Sequence, residues 1–413
     1  MPIVKPFAAL RPRPELAARI AQPPYDVLSS EEARVLAKDE PLSFLHVSKP
    51  EIDLPPGTDV YSKAVYAKAA ENFRKLIAGR NLQQDKKEYF YLYRQIMGSH
   101  AQLGLVAVVP CRDYLEGRIK KHEFTQPDKE DDRVRHMEAL NSQTGPVFLT
   151  YRAESEIDQL LSGIVKTKPW TDFTAHDDIA ASSCVSIQHT AGVVEEADTI
   201  KKIAGLFVKV PAFYIADGHH RSAAAVRVFE KRKNKHGPHE YFLSVIFPHN
   251  QMQILPYNRV VKDLKGLTPV QFLEKLRQVG IVESGGQSRP EKKHEICVYL
   301  DHQWHRFHWG KKLVAPQDAV GKLDVSLLQF NVLDRVLGIE DSRRDPRIKF
   351  VGGIRGTAEL EKLVNSGEFA AAFSMYPTSL LDLMAVADEG QVMPPKSTWF
   401  EPKLRDGLFC HLL

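Results

Sequence analysis

Two long strand-like runs, "EYFYLYRQIM" and "QLGLVAVVPCRDY", follow one another with only "GSHA" between them. Four residues leave no room for a crossover helix, so the two runs are expected to pair as a β-hairpin. "EICVYLDHQWHRFHWG" repeats the pattern and turns near His302–Gln303. Elsewhere strand-like and helix-like runs alternate. "PVFLTY" precedes "ESEIDQLLSGIVK", "IKFVGG" precedes "TAELEKLVNSG", and "FAAAFSMYP" precedes "TSLLDLMAVADEG". Hairpins together with strand–helix alternation argue a mixed α+β fold with at least two sheets. Local signals agree. Ser29 or Ser30 caps a short helix with Glu31 and Glu32 in its first turn, and "DVYSKAVYAKAAENFRKLIAGRNL" is an amphipathic helix ended by Gly79.

A chain of 413 residues exceeds what one core usually serves, so two domains, over residues 1–260 and 261–413, or one large α/β unit are expected. The formal net charge of +4 marks neither a dedicated nucleic-acid binder nor a membrane binder. Cys111, Cys184, Cys297 and Cys410 are far apart and form no metal-like pair, so they read as reduced thiols of a cytoplasmic protein. The N-terminal residues hold no signal-peptide run, and no segment approaches membrane-spanning length.

The chemistry concentrates in "AFYIADGHHRSAAA". "AFYIA" reads as a buried strand and "SAAAVRVFEKRKN" as a helix, started by Ser222 or the preceding turn. Gly218 supplies the backbone freedom for the bend. The first N–H groups of a helix lack partners and carry partial positive charge, so this junction suits an anion such as phosphate. Arg221 adds a planar fork for two phosphate oxygens, and one of His219 and His220 would face the ligand. Asp217 at the strand end would hold a magnesium ion or a substrate proton.

Three other stretches carry candidate chemistry. In "KKHEFT", Glu123 is a carboxylate among basic groups, suited to a general base or a magnesium ligand. The following acidic residues, Asp131 and Asp132 among them, fit a helix start. "FVGGIRGTAELEKLV" is a second strand–glycine–helix junction with Thr357 as its cap, and lacks the lysine of a Walker sequence. "MPPKSTWFEPKLRDG" gathers Lys396, Ser397, Thr398, Lys403 and Arg405 in a loop able to fold over a phosphate or carboxylate. The histidines of "HQWHRFHWG" alternate sides of a strand and read as a hairpin face.

"AQPPYDVLSSEEA", "PLSFLHVSKPEID", "RIKKHEFTQPDKEDDR", "PVFLTY", "IADGHHRSAAA", "LPYNRVV" and "MPPKSTWFEPK" resemble the signature blocks of a bacterial and archaeal family catalogued as domain of unknown function 1015. "DGHHR" is also similar to the phosphate-binding motif of free L-serine kinases, which share a fold with ParB and sulfiredoxin. This second resemblance implies a ParB/sulfiredoxin-like core with insertions, the segment from about Tyr151 to Lys209 among them, and a C-terminal α/β region. It implies a phosphotransferase acting on a small hydroxyl substrate, free serine foremost, with ATP or ADP and Mg2+. Carried over by motif, Gly218, His219, Arg221 and Ser222 would bind the nucleotide with help from Lys396, Ser397 and Thr398. Asp217 would place the metal, and Glu123, with Asp217 and His220, would act on the hydroxyl. A ParB-like nucleotide-binding regulator without transfer is the alternative, and phosphatase-like hydrolysis at the same anion site is a third reading. No membrane or nucleic-acid partner is expected, and a homodimer is left open.

Overall fold

The computed structural model describes residues 1–166, 169–177, 185–311, 313 and 316–413. Among them, no helix is long and apolar enough to cross a membrane. The chain forms two compact units, Met1–Met252 with Pro402–Leu413, and Gln253–Glu401. The break comes before the expected boundary at residue 260, and residues 402–413 return to the first unit. They return because His411–Leu412 pairs with Ser142–Gln143, and Leu10 bridges Cys410.

The first unit carries helices α1 (Ser30–Ala37) and α2 (Lys63–Ala78), then strands β1 (Phe90–Met97), β2 (His100–Pro110) and β3 (Ile119–Lys120). Next come α3 (Pro127–Leu140), β4 (Val147–Tyr151), α4 (Ser155–Val165), β5 (Thr171–Asp177) and β6 (Val185–Val194). It continues with α5 (Ala197–Phe207), β7 (Phe213–Asp217), α6 (His219–Lys231) and β8 (Tyr241–Pro248). The strands form an eight-stranded sheet in the order β3-β7-β4-β8-β2-β1-β6-β5. Two neighbours run parallel, β7 with β3 and β8 with β4, and the rest antiparallel. The β1–β2 hairpin has the expected form, with Tyr91 opposite Val106 and Met97 opposite His100.

Helix starts follow local chemistry. Ser29 caps α1 in a reciprocal capping box with Glu32. In α2, Val65, Tyr66, Ala69, Ala70, Phe73 and Leu76 are buried at three- and four-residue spacing, the stripe of an amphipathic helix. The segment between Tyr151 and Lys209 supplies more than an insertion, since β6 pairs with β1 along the strand, from Phe90–Val194 to Met97–Ile187.

The second unit has β9 (Tyr257–Val261), α7 (Pro269–Val279), β10 (Gly280–Ser284), β11 (Glu295–Leu300) and β12 (Gln303–Trp309). After these come β13 (Ile348–Gly352), α8 (Gly356–Asn365), β14 (Ala371–Met375) and α9 (Leu380–Asp388). Its six strands pair antiparallel in the order β10-β12-β11-β14-β9-β13. Gln253–Leu255 pairs with Trp399–Glu401, which ties the unit's two chain ends together. The two sheets make the fold mixed α+β, as the hairpins and alternation require. Thr357 is not the cap of α8. Arg355 holds that position without a side-chain bond, and the Thr357 hydroxyl pairs with Ser288 at 2.9 Å. Cys111, Cys297 and Cys410 are buried free thiols, and Cys184 lies outside the described residues.

Candidate active site at the DGHHR turn

The "DGHHR" segment sits at a strand-to-helix junction in the first unit. Strand β7 is buried from Phe213 to Ala216 and ends at Asp217. Gly218 follows with φ 91°, the left-handed region that glycine enters without strain. Helix α6 then begins at His219, three residues before Ser222, and has no side-chain cap. Ser222 lies inside the first turn, where its N–H donates to Gly218 O at 3.0 Å and its hydroxyl to His219 O at 3.0 Å.

Parallel pairing brings a second segment to this turn. Ile119 and Lys120 of β3 lie beside Phe213 and Tyr214 of β7. Both chains leave the sheet at the same end, so "HEF" emerges next to "DGH". His122 and His219 meet edge to face with ring centroids 4.5 Å apart. Glu123 Oε2 lies 3.9 Å from His219 Nδ1, with the Glu123 side chain half exposed and His219 buried.

Asp217 and Arg221 are turned inward. Lys403 Nζ lies 3.3 Å from Asp217 Oδ2, and Arg221 Nη2 lies 3.5 Å from the same oxygen. Burial works against the Asp217 carboxylate, but Lys403 and Arg221 outweigh it and hold its pKa well below the usual carboxylate range. Arg221 also donates through Nη1 to Pro146 O. A methyl group on Gly218 would stand 3.0 Å from Arg221 Nε and 3.1 Å from its Cζ, so glycine makes room for the guanidinium under the turn. The fork assigned to phosphate oxygens is thus engaged within the protein, and the oxygen of Asp217 assigned to a metal faces two cations.

His220 points elsewhere. It lines a cavity of about 330 Å³ together with Tyr25, Asp26, Lys49, Lys129 and Arg133. Burial, then Lys129, pushes its pKa down, so the ring is neutral at physiological pH. Arg133 stacks on Tyr25, 3.8 Å from the ring centroid, and pairs with Asp132 at 2.8 Å through Nε. The expected acidic helix start has tertiary partners: Asp131 and Glu130 pair with Arg227 of α6, joining α3 to the helix that follows the motif.

Beneath Arg221 is a second buried carboxylate. Asp406 is 3% exposed, and a methyl on Gly145 would stand 2.4 Å from its Oδ1. Burial pushes its pKa up to about 7, against the pull of Arg221, with Asp26 adding to the rise.

Of the anticipated residues, the first unit brings together Glu123, Asp217, Gly218, His219, His220, Arg221 and Ser222. Lys396, Ser397 and Thr398 belong to the second unit. There Ser397 donates its hydroxyl to Pro394 O at 2.5 Å, and the Lys396 ammonium lies 5.5 Å from the Tyr257 ring centroid. Sequence reasoning missed His122, Tyr25, Lys49 and Asp406. Each stands in a block already quoted as a signature or loop, but none sits beside the motif in sequence.

Comparison with solved structures finds a free serine kinase variant in complex with AMP, at 13% identity and a TM-score of 0.34, covering 71% of this chain and 86% of that one. SbnI with a C-terminal truncation, from Staphylococcus aureus, matches at 14% identity and a TM-score of 0.37, covering 74% and 87%. A conserved hypothetical protein from Pyrococcus furiosus matches at 14% identity and a TM-score of 0.34, covering 74% and 95%. Likenesses of this size carry no inference about chemistry. No curated protein matches the chain. A family model does match, over residues 4–326, and the chain belongs to the family described as protein of unknown function DUF1015.

Proposed function

We propose that this chain is a phosphotransferase that moves a phosphoryl group from ATP or ADP to the hydroxyl of a small molecule, with free L-serine as the acceptor. One observation carries the reading. A half-exposed carboxylate, Glu123, stands 3.9 Å from His219 at the start of a 13-residue helix, in a turn shaped by a left-handed glycine. Such a helix start offers N–H donors to an anion, and a carboxylate beside it can take the proton of a hydroxyl. Phosphoryl transfer asks little more of a protein than positioning and charge neutralisation.

In this mechanism the terminal phosphoryl group rests against the first N–H groups of α6. Lys49, Lys129 and Arg133 line the adjoining cavity and offset the charge of the bound anion. The acceptor oxygen attacks phosphorus as its proton passes to Glu123. The new P–O bond forms as the bond to the nucleotide oxygen breaks, and the diphosphate or monophosphate leaves with the electron pair. His220 faces the adjoining cavity beside Lys129. Asp217 and Arg221 keep the turn in shape from behind. The Oδ2 of Asp217 already faces Lys403 and Arg221.

Incubation of the full chain with L-serine and the magnesium salt of ATP or ADP, followed by phosphorus NMR, should show phosphoserine. Glu123→Gln should lower kcat by about 10²–10⁴-fold, the range for a positioned general base, and leave nucleotide affinity unchanged. Tight nucleotide binding with no transfer to any small hydroxyl compound would refute the proposal.

A further inference from the structure

We propose that His122, Glu123 and His219 form a binding site for a divalent transition-metal ion of the zinc class. The three residues each offer one ligand atom, and these atoms lie within 4.8 Å of one another. Two imidazoles and one carboxylate form a donor set suited to zinc, manganese or ferrous iron rather than to magnesium or calcium, which favour oxygen alone.

A second observation points to a ligand. His122 and His219 are 2% and 6% exposed, and each has a ring nitrogen, Nδ1 of His122 and Nε2 of His219, with no hydrogen-bond partner. Buried polar atoms are ordinarily paired. His219 turns Nδ1, not its unpaired Nε2, toward Glu123 at 3.9 Å, so the unpaired atom that points to a ligand is His122 Nδ1, in a ring edge to face with His219.

Zinc held at about 2.0–2.1 Å by each nitrogen requires the ligands to draw inward. Glu123 is half exposed, in the loop between β3 and α3. Three protein ligands leave a fourth position open to solvent, as at zinc centres that bind small molecules. The ion and the acceptor hydroxyl would compete for Glu123, but the site itself does not depend on the transfer reaction.

The test uses the full chain free of nucleotide and serine, titrated with Co2+ as a spectroscopic substitute for Zn2+. We expect one saturable equivalent with visible d–d absorption, displaced by Zn2+. His122→Ala and His219→Ala should each weaken it at least about tenfold, since even outer-sphere partners of a metal ligand are worth that much. X-ray absorption at the zinc edge of the wild-type protein provides a reading that needs no variant. Imidazole scattering at about 2.0–2.1 Å is expected. A shell of oxygens alone, or Co2+ binding of equal strength in folded His122→Ala, would overturn the site. Phosphoserine formation is measured separately, so its absence would leave the metal result standing, and the reverse.

Discussion

Replacing Asp406 with asparagine tests the buried charge cluster beneath the turn. In the native protein the Asp406 carboxyl titrates at about 7, against an ordinary value of 3.8. Between those values the native chain keeps a proton that the unfolded chain has lost. Stability should therefore fall as pH rises from about 4 to about 7 and level off above that. The span is roughly three pH units, at about 1.4 kcal/mol per unit, so the full penalty approaches about 4 kcal/mol. Asparagine keeps the shape and has no proton to lose. Groups common to both proteins cancel in the difference between them. Urea denaturation of wild type and Asp406→Asn, followed by the fluorescence of Trp170 in the first unit, should be run at pH 5, 6, 7 and 8. From pH 5 to pH 7 the difference should move in the variant's favour by about 2.5 kcal/mol, with little further change at pH 8. A difference that is flat with pH, or moves the other way, would refute the placement of Asp406 as a carboxyl kept neutral by burial.

Arg221→Ala removes one of the two cations on Asp217 and the donor to Pro146 O, so unfolding should become easier by about 3–5 kcal/mol, the cost of breaking a buried pair. Unchanged urea stability would show that Lys403 alone satisfies Asp217. Gly218→Ala places a methyl group at φ 91° and 3.0 Å from Arg221 Nε. The left-handed backbone alone costs about 1–2 kcal/mol, so a lower Tm and weaker nucleotide binding are expected, read by calorimetry.

The strand–glycine–helix character of the motif was legible because "AFYIA" is apolar throughout and "SAAAVRVFEK" is rich in helix formers. Of the two expected starts, Ser222 and the preceding turn, the chain takes the turn, because Gly218 lets it enter the helix at His219. The β5–β6 hairpin escaped notice because Thr171–Asp177 and Val185–Val194 mix Asp, Thr, Gln and His into their strands. Their strand character comes from pairing with β1, a tertiary effect. The approach of Glu123 to His219 depends on two parallel residue pairs between β3 and β7, and no local signal encodes that register. Nor does residue type say which way a side chain turns. Arg221 was assigned to an incoming phosphate, but the space under Gly218 draws it inward.

The return of residues 402–413 to the first unit imposes an order on synthesis. Strand β7, the glycine turn and α6 leave the ribosome long before Lys403 and Asp406 exist. Until then Asp217 has only Arg221 to balance it, and the surface around Ser142–Gln143 lacks its partner strand. The intervening unit can begin closing on itself, since Gln253–Leu255 and Trp399–Glu401 pair with each other. A ribosome stalled before residue 403 would release a chain that carries the motif without the lysine that pairs with Asp217.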